Sequence, residues 1–267
     1  NPHIPDSVEA RAIESVERAL EQITKGGIVI LVDDEDRENE GDMVMAAQDA
    51  TPQNITVMAN EARGLICTPM IGDDLDRLGL PMQVQNNTAE HGTAFTVTVD
   101  SKFGITTGIS SADRAHTIQL LADLESSAAN FVQPGHVFPL RYEEGGVLVR
   151  AGHTEGSVDL VRLAGKHPAA VICEILNDDG TMARRPQLET IAEKHDFPIV
   201  TIADVIAYRM SHEKLVERGA EARLPTAHGV FKAIAYKSFV DPSEHIAIYM
   251  GDINDSEPVL VRVESEC

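Results

Sequence analysis

Tryptophan is absent from this 267-residue chain, and all aromatic residues together make up 4% of it. The core therefore has to be aliphatic, and 43% hydrophobic residues supply enough material for one. A chain of this size buries roughly 70–75% of its unfolded surface. One domain of about 200 residues with an extra piece fits the length as well as two equal domains. Basic residues are scarce: 22 Lys and Arg against 43 Asp and Glu give a net charge of −21. That balance argues against broad nucleic-acid binding, where a basic face supplies most of the affinity, and against an anionic membrane surface. It leaves room for a small phosphorylated ligand, because two or three local arginines hold one phosphate. Cysteine is rare, odd in number and scattered (Cys67, Cys173, Cys267). This argues against a disulfide framework and points to a reducing cytoplasm. No signal peptide is recognisable and no apolar run is long enough to span a bilayer. The chain ends, Asn1 and Cys267, read as cut or processed.

What is present is an alternation of strand-like and helix-like runs. Ile13, Val16, Leu20 and Ile23 recur at spacings of three and four and predict a helix over 6–25, with Asp6 and Glu9 as a capping box and Gly26-Gly27 as the stop. "GIVILV" (27–32) is a continuous apolar strand, and "DMVMAAQDA" (42–50) reads as a second. "TPQNITVMANEARG" reads as a helix with Thr51 as its N-cap, "GLICTPM" as a short strand, and "HGTAFTVTVDS" as a strand by alternation. "GITTGISSADRAHTIQLLADL" is a loop leading into a helix, and residues 135–165 read as strand, turn, strand ("GGVLV"), loop and helix. "AAVICEIL" is a buried strand. "RPQLETIAEKHDF" is a helix, followed by a strand and helix in "PIVTIADVIAYRMSHEKLVERG". The alternation has no regular βαβ period, so the expected fold is α+β: a mixed sheet with helices packed on it. After about residue 212, "HEKLVERGAEARLPT" reads as a helix end and linker, and "GVFKAIAYKS", "EHIAIYMGDI" and "PVLVRVESEC" as three strands. The expected division is 1–212 and 213–267.

Charge is concentrated in "VDDEDRENEGDM". Between Asp33 and Asp42 lie seven carboxylates (Asp33, Asp34, Glu35, Asp36, Glu38, Glu40, Asp42) and one arginine, Arg37. A solvated turn is the plain reading of such a run. An EF-hand is rejected, because Ala47 stands where the closing Glu is required and a strand precedes the loop. A hard-metal site is the remaining reading: crowded carboxylates need a compensating cation, and loops at strand ends commonly carry sites. "RAGHTE" (Arg150–Glu155) offers a phosphate clamp in Arg150, a metal ligand or acid/base in His153 and a hydroxyl in Thr154. His136 sits in a Pro/Gly setting in "PGHVFPL", and Glu174 is a lone acid in an apolar strand, where desolvation suits it for proton transfer. "GITTGISSADR" (104–114) could cradle a phosphate at a helix N-terminus. Together these groups suit proton abstraction beside a carbonyl of a phosphorylated sugar, with a metal stabilising the enediolate.

The motifs "DDEDRENEGD", "HGTAFTVTVDS", "PGHVFPLR", "RAGHTE" and "NDDGTMAR", in this order over roughly residues 8–212, resemble 3,4-dihydroxy-2-butanone 4-phosphate synthase of riboflavin biosynthesis. The resemblance implies D-ribulose 5-phosphate as substrate, with L-3,4-dihydroxybutan-2-one 4-phosphate and formate as products. It implies Mg²⁺, replaceable by Mn²⁺, as a pair of ions, and a homodimer with the site near the subunit interface. Carried over by motif, Glu38 and His153 are metal ligands. Arg37, Glu38, Asp42, Arg150, Ala151, Gly152, His153, Thr154 and Glu174 bind substrate. His136 and Glu174 are the essential proton-transfer residues, with Asp33, Glu35, Cys67 and Thr107 as site neighbours. Two positions depart from the pattern: Gln133 stands where the family usually has Arg, and His116 replaces a common Thr. From about Ala222 the chain resembles the opening strands of GTP cyclohydrolase II. It reads "ESEC" where that family has "HSEC", and the other zinc cysteines do not follow, so no cyclohydrolase activity is expected from the chain. The competing reading is a synthase-like scaffold that binds a sugar phosphate without turnover.

Overall fold

Continuous apolar runs in this sequence become central strands, because helices cover both faces of the sheet they build. The computed structural model describes residues 8–240, 243–253 and 258–264. The chain divides into two units, 1–213 and 214–267. The strands of the first unit are β1 (Val29–Val32), β2 (Gly41–Ala46), β3 (Cys67–Met70), β4 (Val99–Ser101), β5 (Phe131–Arg141), β6 (Ala170–Glu174) and β7 (Ile199–Thr201). Its helices are α1 (Val8–Thr24), α2 (Pro52–Val57), α3 (Gly72–Arg77), α4 (Ser111–Leu121), α5 (His153–Leu163), α6 (Arg185–His195) and α7 (Ile202–His212). They form a mixed α+β fold on one sheet of order β4-β5-β3-β6-β2-β1-β7. β1–β2, β2–β6, β3–β6 and β4–β5 pair antiparallel, whereas β1–β7 and β3–β5 pair parallel.

Side-chain alternation sorts the core into two layers. Ile30, Met43, Met45, Val171 and Cys173 point to one face, where Ile55 of α2, Met58 just after it, Ile118 of α4 and Leu188 of α6 pack. Leu31, Val44, Ala46, Ala170 and Ile172 point to the other, where Val16, Ala19, Leu160 and Val205 of α1, α5 and α7 pack. By the same parity Asp42 and Glu174 lie on the second face, just beyond the apolar residues of their strands. The capping residue expected for α1, Asp6, lies outside the described residues.

Several local expectations need correction. "GGVLV" is a 3₁₀ turn over Gly146–Leu148 rather than a strand. Gly145 and Gly146 both take positive φ (93° and 64°), and the Val147 N–H is drawn to Asp159 at 3.0 Å, so the backbone turns there. Only Val99–Ser101 of "HGTAFTVTVDS" is ladder strand. Upstream, Thr96 donates to the carbonyl of Pro139, which has no N–H to return, and Val97 donates to Pro81 instead. "TPQNITVMANEA" begins as α2 under the Thr51 cap and widens into a π-turn at Met58–Ala62.

In the second unit, β8 (Val216–Thr226), β9 (Gly229–Ser238) and β10 (Glu244–Tyr249) form an antiparallel sheet of order β10-β9-β8. The segment read as linker is thus a strand, fixed by its pairing with β9 rather than by its charged composition. The third expected strand, "PVLVRVESEC", is irregular over residues 258–264.

Candidate active site

The acidic run is the loop between β1 and β2, closed by the pairing of Val32 with Gly41. Its shape is set from within by Asp33. That buried carboxylate accepts the backbone N–H of Glu38 (3.1 Å) and of Glu40 (2.8 Å) and the Arg37 guanidinium (2.9 Å). Arg37 also pairs with Glu38 (3.0 Å), so this one cation offsets two of the acids. Asp34, Glu35 and Asp36 are exposed. Glu35 turns toward a separate shallow hollow with Asp34 and Arg185.

Asp42, the second residue of β2, stands opposite Glu174, the last residue of β6. Helix α5 begins at His153 with Gly152 as its N-cap, and its first turn projects toward the same strand ends. His153 Nδ1 lies 3.5 Å from Glu38 Oε2, and its Nε2 lies 3.9 Å from Asp42 Oδ1. His153 is 6% and Asp42 2% exposed. Glu174 Oε2 accepts the Leu65 N–H at 2.8 Å. Arg150 pairs with the buried Glu155 and donates to the His91 carbonyl at 2.9 Å, while Glu155 also accepts the Glu143 N–H.

These groups line one cleft of about 210 Å³, with Arg37, Glu38, Asp42, Arg150, His153, Thr154 and Glu174 as its polar wall and Cys67, Leu140 and Ile172 as its apolar floor. Sequence reading did not single out Glu40, Thr93 or Phe95, which also line it. Glu40 had a weak signal, as one of seven acids; Thr93 and Phe95 had none. Ala151 and Gly152 adjoin the cleft in the chain. His136 and Thr107 are exposed and are not among its lining residues. His136 lies on β5 beside Asp100 of β4. Gln133 donates to the Gly79 carbonyl at 3.2 Å, and His116 Nε2 lies 3.2 Å from the Phe103 carbonyl.

The charge pattern is strongly perturbed. The hydrogen bond with His153 holds the Glu38 carboxyl down to about 2. Burial pushes Asp42 up to about 7, with Glu174, Glu38 and Glu40 adding like charge. Burial would lower His153, but Asp42, Glu38 and Asp33 outweigh it and raise the imidazole to about 9. Glu40 is raised by burial and by Glu38, and burial pushes up the Cys67 thiol. His153 is thus a second positive charge, beside Arg37, among the buried acids, in the place a metal cation would take.

Asp42 Oδ1 and His153 Nε2 are buried without a hydrogen-bond partner, and such orphaned atoms call for a ligand. Asp33, Glu38 and His153 bring one ligand atom each to within 4.8 Å of one another. Asp33 already accepts three hydrogen bonds and is better suited to brace the loop. Carboxylates with one imidazole form the donor set of a hard divalent ion, so the residues present fit one.

Comparison with known proteins gives the same direction. The family model described as 3,4-dihydroxy-2-butanone 4-phosphate synthase matches residues 17–208, and that of GTP cyclohydrolase II matches 217–267. The chain is 55% identical over 256 residues to the riboflavin biosynthesis protein RibBA of Nocardia farcinica, covering 95% of this chain and 62% of that protein. It is 53% identical over 255 residues to the chloroplastic bifunctional riboflavin biosynthesis protein RIBA 1 of Arabidopsis thaliana, covering 95% and 47%. The chain thus spans about three fifths or less of the length of these curated relatives. RibBX of A. baumannii, a two-domain 3,4-dihydroxy-2-butanone 4-phosphate synthase, superposes with a TM-score of 0.81 at 48% identity, covering 88% of this chain and 70% of that one. A 3,4-dihydroxy-2-butanone 4-phosphate synthase in complex with two magnesium ions superposes with a TM-score of 0.71 at 38% identity, covering 74% and 97%. With 17–208 matched by the family model and the cleft built from that same stretch, this chain belongs to the 3,4-dihydroxy-2-butanone 4-phosphate synthase family.

Proposed function

We propose that this chain converts D-ribulose 5-phosphate to L-3,4-dihydroxybutan-2-one 4-phosphate and formate, a step of riboflavin biosynthesis. The observation that carries this reading is the convergence of Glu38, Asp42, His153 and Glu174 on one cleft, with two buried polar atoms left unpartnered. Loss of C4 as formate balances without an added oxidant, so the site has only to move protons and hold charge. Glu38 and His153 would hold Mg²⁺ or Mn²⁺, as a pair of ions by the family resemblance. When bound, the metal supplies Lewis-acid polarisation of the sugar's oxygens.

The chain's own residues divide the rest. The N-terminus of α5, with Thr154 in its first turn and Arg150 just before it, is the positive end of an 11-residue helix and suits the phosphate. Arg37, Asp42 and the Arg150–Thr154 segment orient the sugar. Glu174 has one oxygen tied to the Leu65 N–H, which leaves the other to take or give a proton. His136 is the second proton-transfer group. Because it does not line its own chain's cleft, we take the working enzyme to be a homodimer with the site near the interface. We assign residues 1–212 to the synthase and 213–267 to a linker with cyclohydrolase-like strands. GTP cyclohydrolase II activity is not expected from the short matched segment 217–267. We place the enzyme in the cytoplasm on its scattered cysteines; no described helix is long and apolar enough to cross a membrane.

The test is formate release from D-ribulose 5-phosphate with Mg²⁺, its loss in EDTA and its return on adding Mg²⁺ back. Glu38→Ala should lower the rate by 10²-fold or more, on the order of the loss of one charge-stabilising group. It should also weaken Mg²⁺ binding in titration calorimetry. Full activity of Glu38→Ala, or in EDTA, overturns the metal assignment.

A further inference from the structure

We propose that Asp100 is the positioning residue for His136, and that the pair acts as a dyad presenting Nε2 of the imidazole as its one proton-transfer atom. The proposal rests on the synthase reading above and adds to it a residue that the cleft itself does not reveal.

One carboxylate grips His136 at two points. Asp100 Oδ1 accepts the His136 backbone N–H at 2.9 Å, and Oδ2 lies 2.6 Å from Nδ1 of the ring. A carboxylate can only accept, so the hydrogen belongs on Nδ1 and Nε2 is left as the free position. The exposure of the two groups divides along the same line: the Asp100 side chain is 8% exposed and that of His136 43%. The orienting acid is shielded while the ring edge that would meet a substrate is open. This is the order of base and orienter found wherever an imidazole is held for proton transfer.

The surroundings are fitted to the pair. Gly108 has φ +95°, and a Cβ there would lie 2.3 Å from Asp100 Oδ2 and 2.5 Å from His136 Nδ1. Backbone thus closes directly over the Oδ2–Nδ1 contact, where a methyl group has no room. That backbone is itself fixed: Asp113 accepts the Gly108 N–H (3.0 Å), the Thr106 N–H (3.2 Å) and the Thr106 hydroxyl (2.7 Å). The other close His–Asp contact among the described residues, His167 with Asp74 at 2.6 Å, is built differently. There the acid is shared with Arg77 and the ring is mostly covered, as a structural bridge requires. An Asp in an alternating strand gives no such signal in sequence; only the break in the β4–β5 pairing, where the register passes from Val99–Val137 to Asp100–Val132, leaves His136 beside Asp100.

The test uses the full chain with Mg²⁺. Asp100→Asn keeps the shape and allows the amide to turn its NH₂ toward Nδ1. We expect kcat to fall by about 10²-fold or more with KM changed less than about twofold, the pattern of a misoriented base. In ¹⁵N NMR of the histidine side chains, His136 should show the Nδ1–H tautomer in the unmodified chain and lose it in Asp100→Asn. Gly108→Ala removes no charge but pushes a methyl into the contact, and should give the same kcat loss and tautomer change. Asp100→Asn with the original kcat, or an unchanged tautomer in both variants, overturns the proposal. A parent chain that releases no formate overturns the synthase reading instead, and the tautomer measurement, which needs no turnover, then decides the Asp100–His136 pairing on its own.

Discussion

Asp42 and Glu174 are register partners on adjacent antiparallel strands, two acids directly opposite each other at the mouth of the cleft. Like charges in that position destabilise a sheet, and Asp42 is also almost fully buried. The arrangement sacrifices stability for a site.

Asp42→Asn should therefore stabilise the metal-free protein while abolishing turnover. Burial first, and Glu174 among its neighbours, raises the folded-state Asp42 to about 7. A raised acid contributes its stability below the unfolded value near 4, and loses it as pH climbs through the folded one. Melts in EDTA from pH 4 to 8 should show the variant gaining on the parent over that window, by about 1–3 kcal/mol at pH 8. Parallel curves would contradict this.

Gly64→Ala tests the placement of Glu174. A Cβ at Gly64 would lie 2.3 Å from the Glu174 carbonyl oxygen and 2.5 Å from its Oε2. The backbone of β6 has little freedom to move, so the carboxylate should be displaced. Formate release should fall by about 10²-fold or more, the cost of misplacing a reacting group. Activity within twofold of the parent would show that the strand adapts.

Asp159 is the fully buried acid behind the "RAGHTE" turn. It takes Arg209 (2.7 Å), Arg162 (2.9 Å), the Tyr142 hydroxyl (2.9 Å) and the Val147 N–H (3.0 Å). Asp159→Ala leaves Arg209 with Glu213 (2.8 Å) as its remaining acid and strips the buried Tyr142 hydroxyl and Val147 N–H of their acceptor, which costs about 2–4 kcal/mol. Denaturant unfolding measures it directly, and a loss under 1 kcal/mol would refute the hub.

Asp113 makes the loop over Asp100 sensitive to acid. The Thr106 hydroxyl first, then the Gly108 and Thr106 N–H groups, hold its carboxyl below the usual carboxylate range. A depressed acid stabilises the fold above its unfolded value near 4 and loses that contribution as pH falls. The difference in melting temperature between the parent and Asp113→Asn should shrink from pH 6 to pH 3. A difference independent of pH would mean that Asp113 is not the anchor.

Most elements of the first unit were legible because two-faced burial writes itself as apolar runs such as "GIVILV" and "AAVICEIL". The failures were places where distant partners decide. "GGVLV" has strand composition, but Asp159 pulls its backbone into a turn. "LVERGAEARLPT" looks like linker, yet β9 takes it as a strand. In the site, Glu38, Asp42, His153 and Glu174 stood out as charges beside apolar strands, where burial has to be compensated. Asp100, Thr93 and Phe95 gave no comparable signal, since a polar or aromatic residue in an alternating strand looks like ordinary surface or core. Contacts with β5, not local pattern, give Asp100 and Phe95 their neighbours.

The sheet order also has a consequence for how the protein is made. β6 docks between β2 and β3, and α5 brings His153 to the strand ends only after roughly 110 residues have followed Asp42. A growing chain therefore emerges from the ribosome with the acids of the β1–β2 loop exposed, Arg37 as their one local cation and His153 still to come. β2 waits with one edge open until Glu174 has been synthesised. Nascent chains stalled before that point should be recognised by chaperones that bind unpaired strands, and those stalled beyond β7 should escape them.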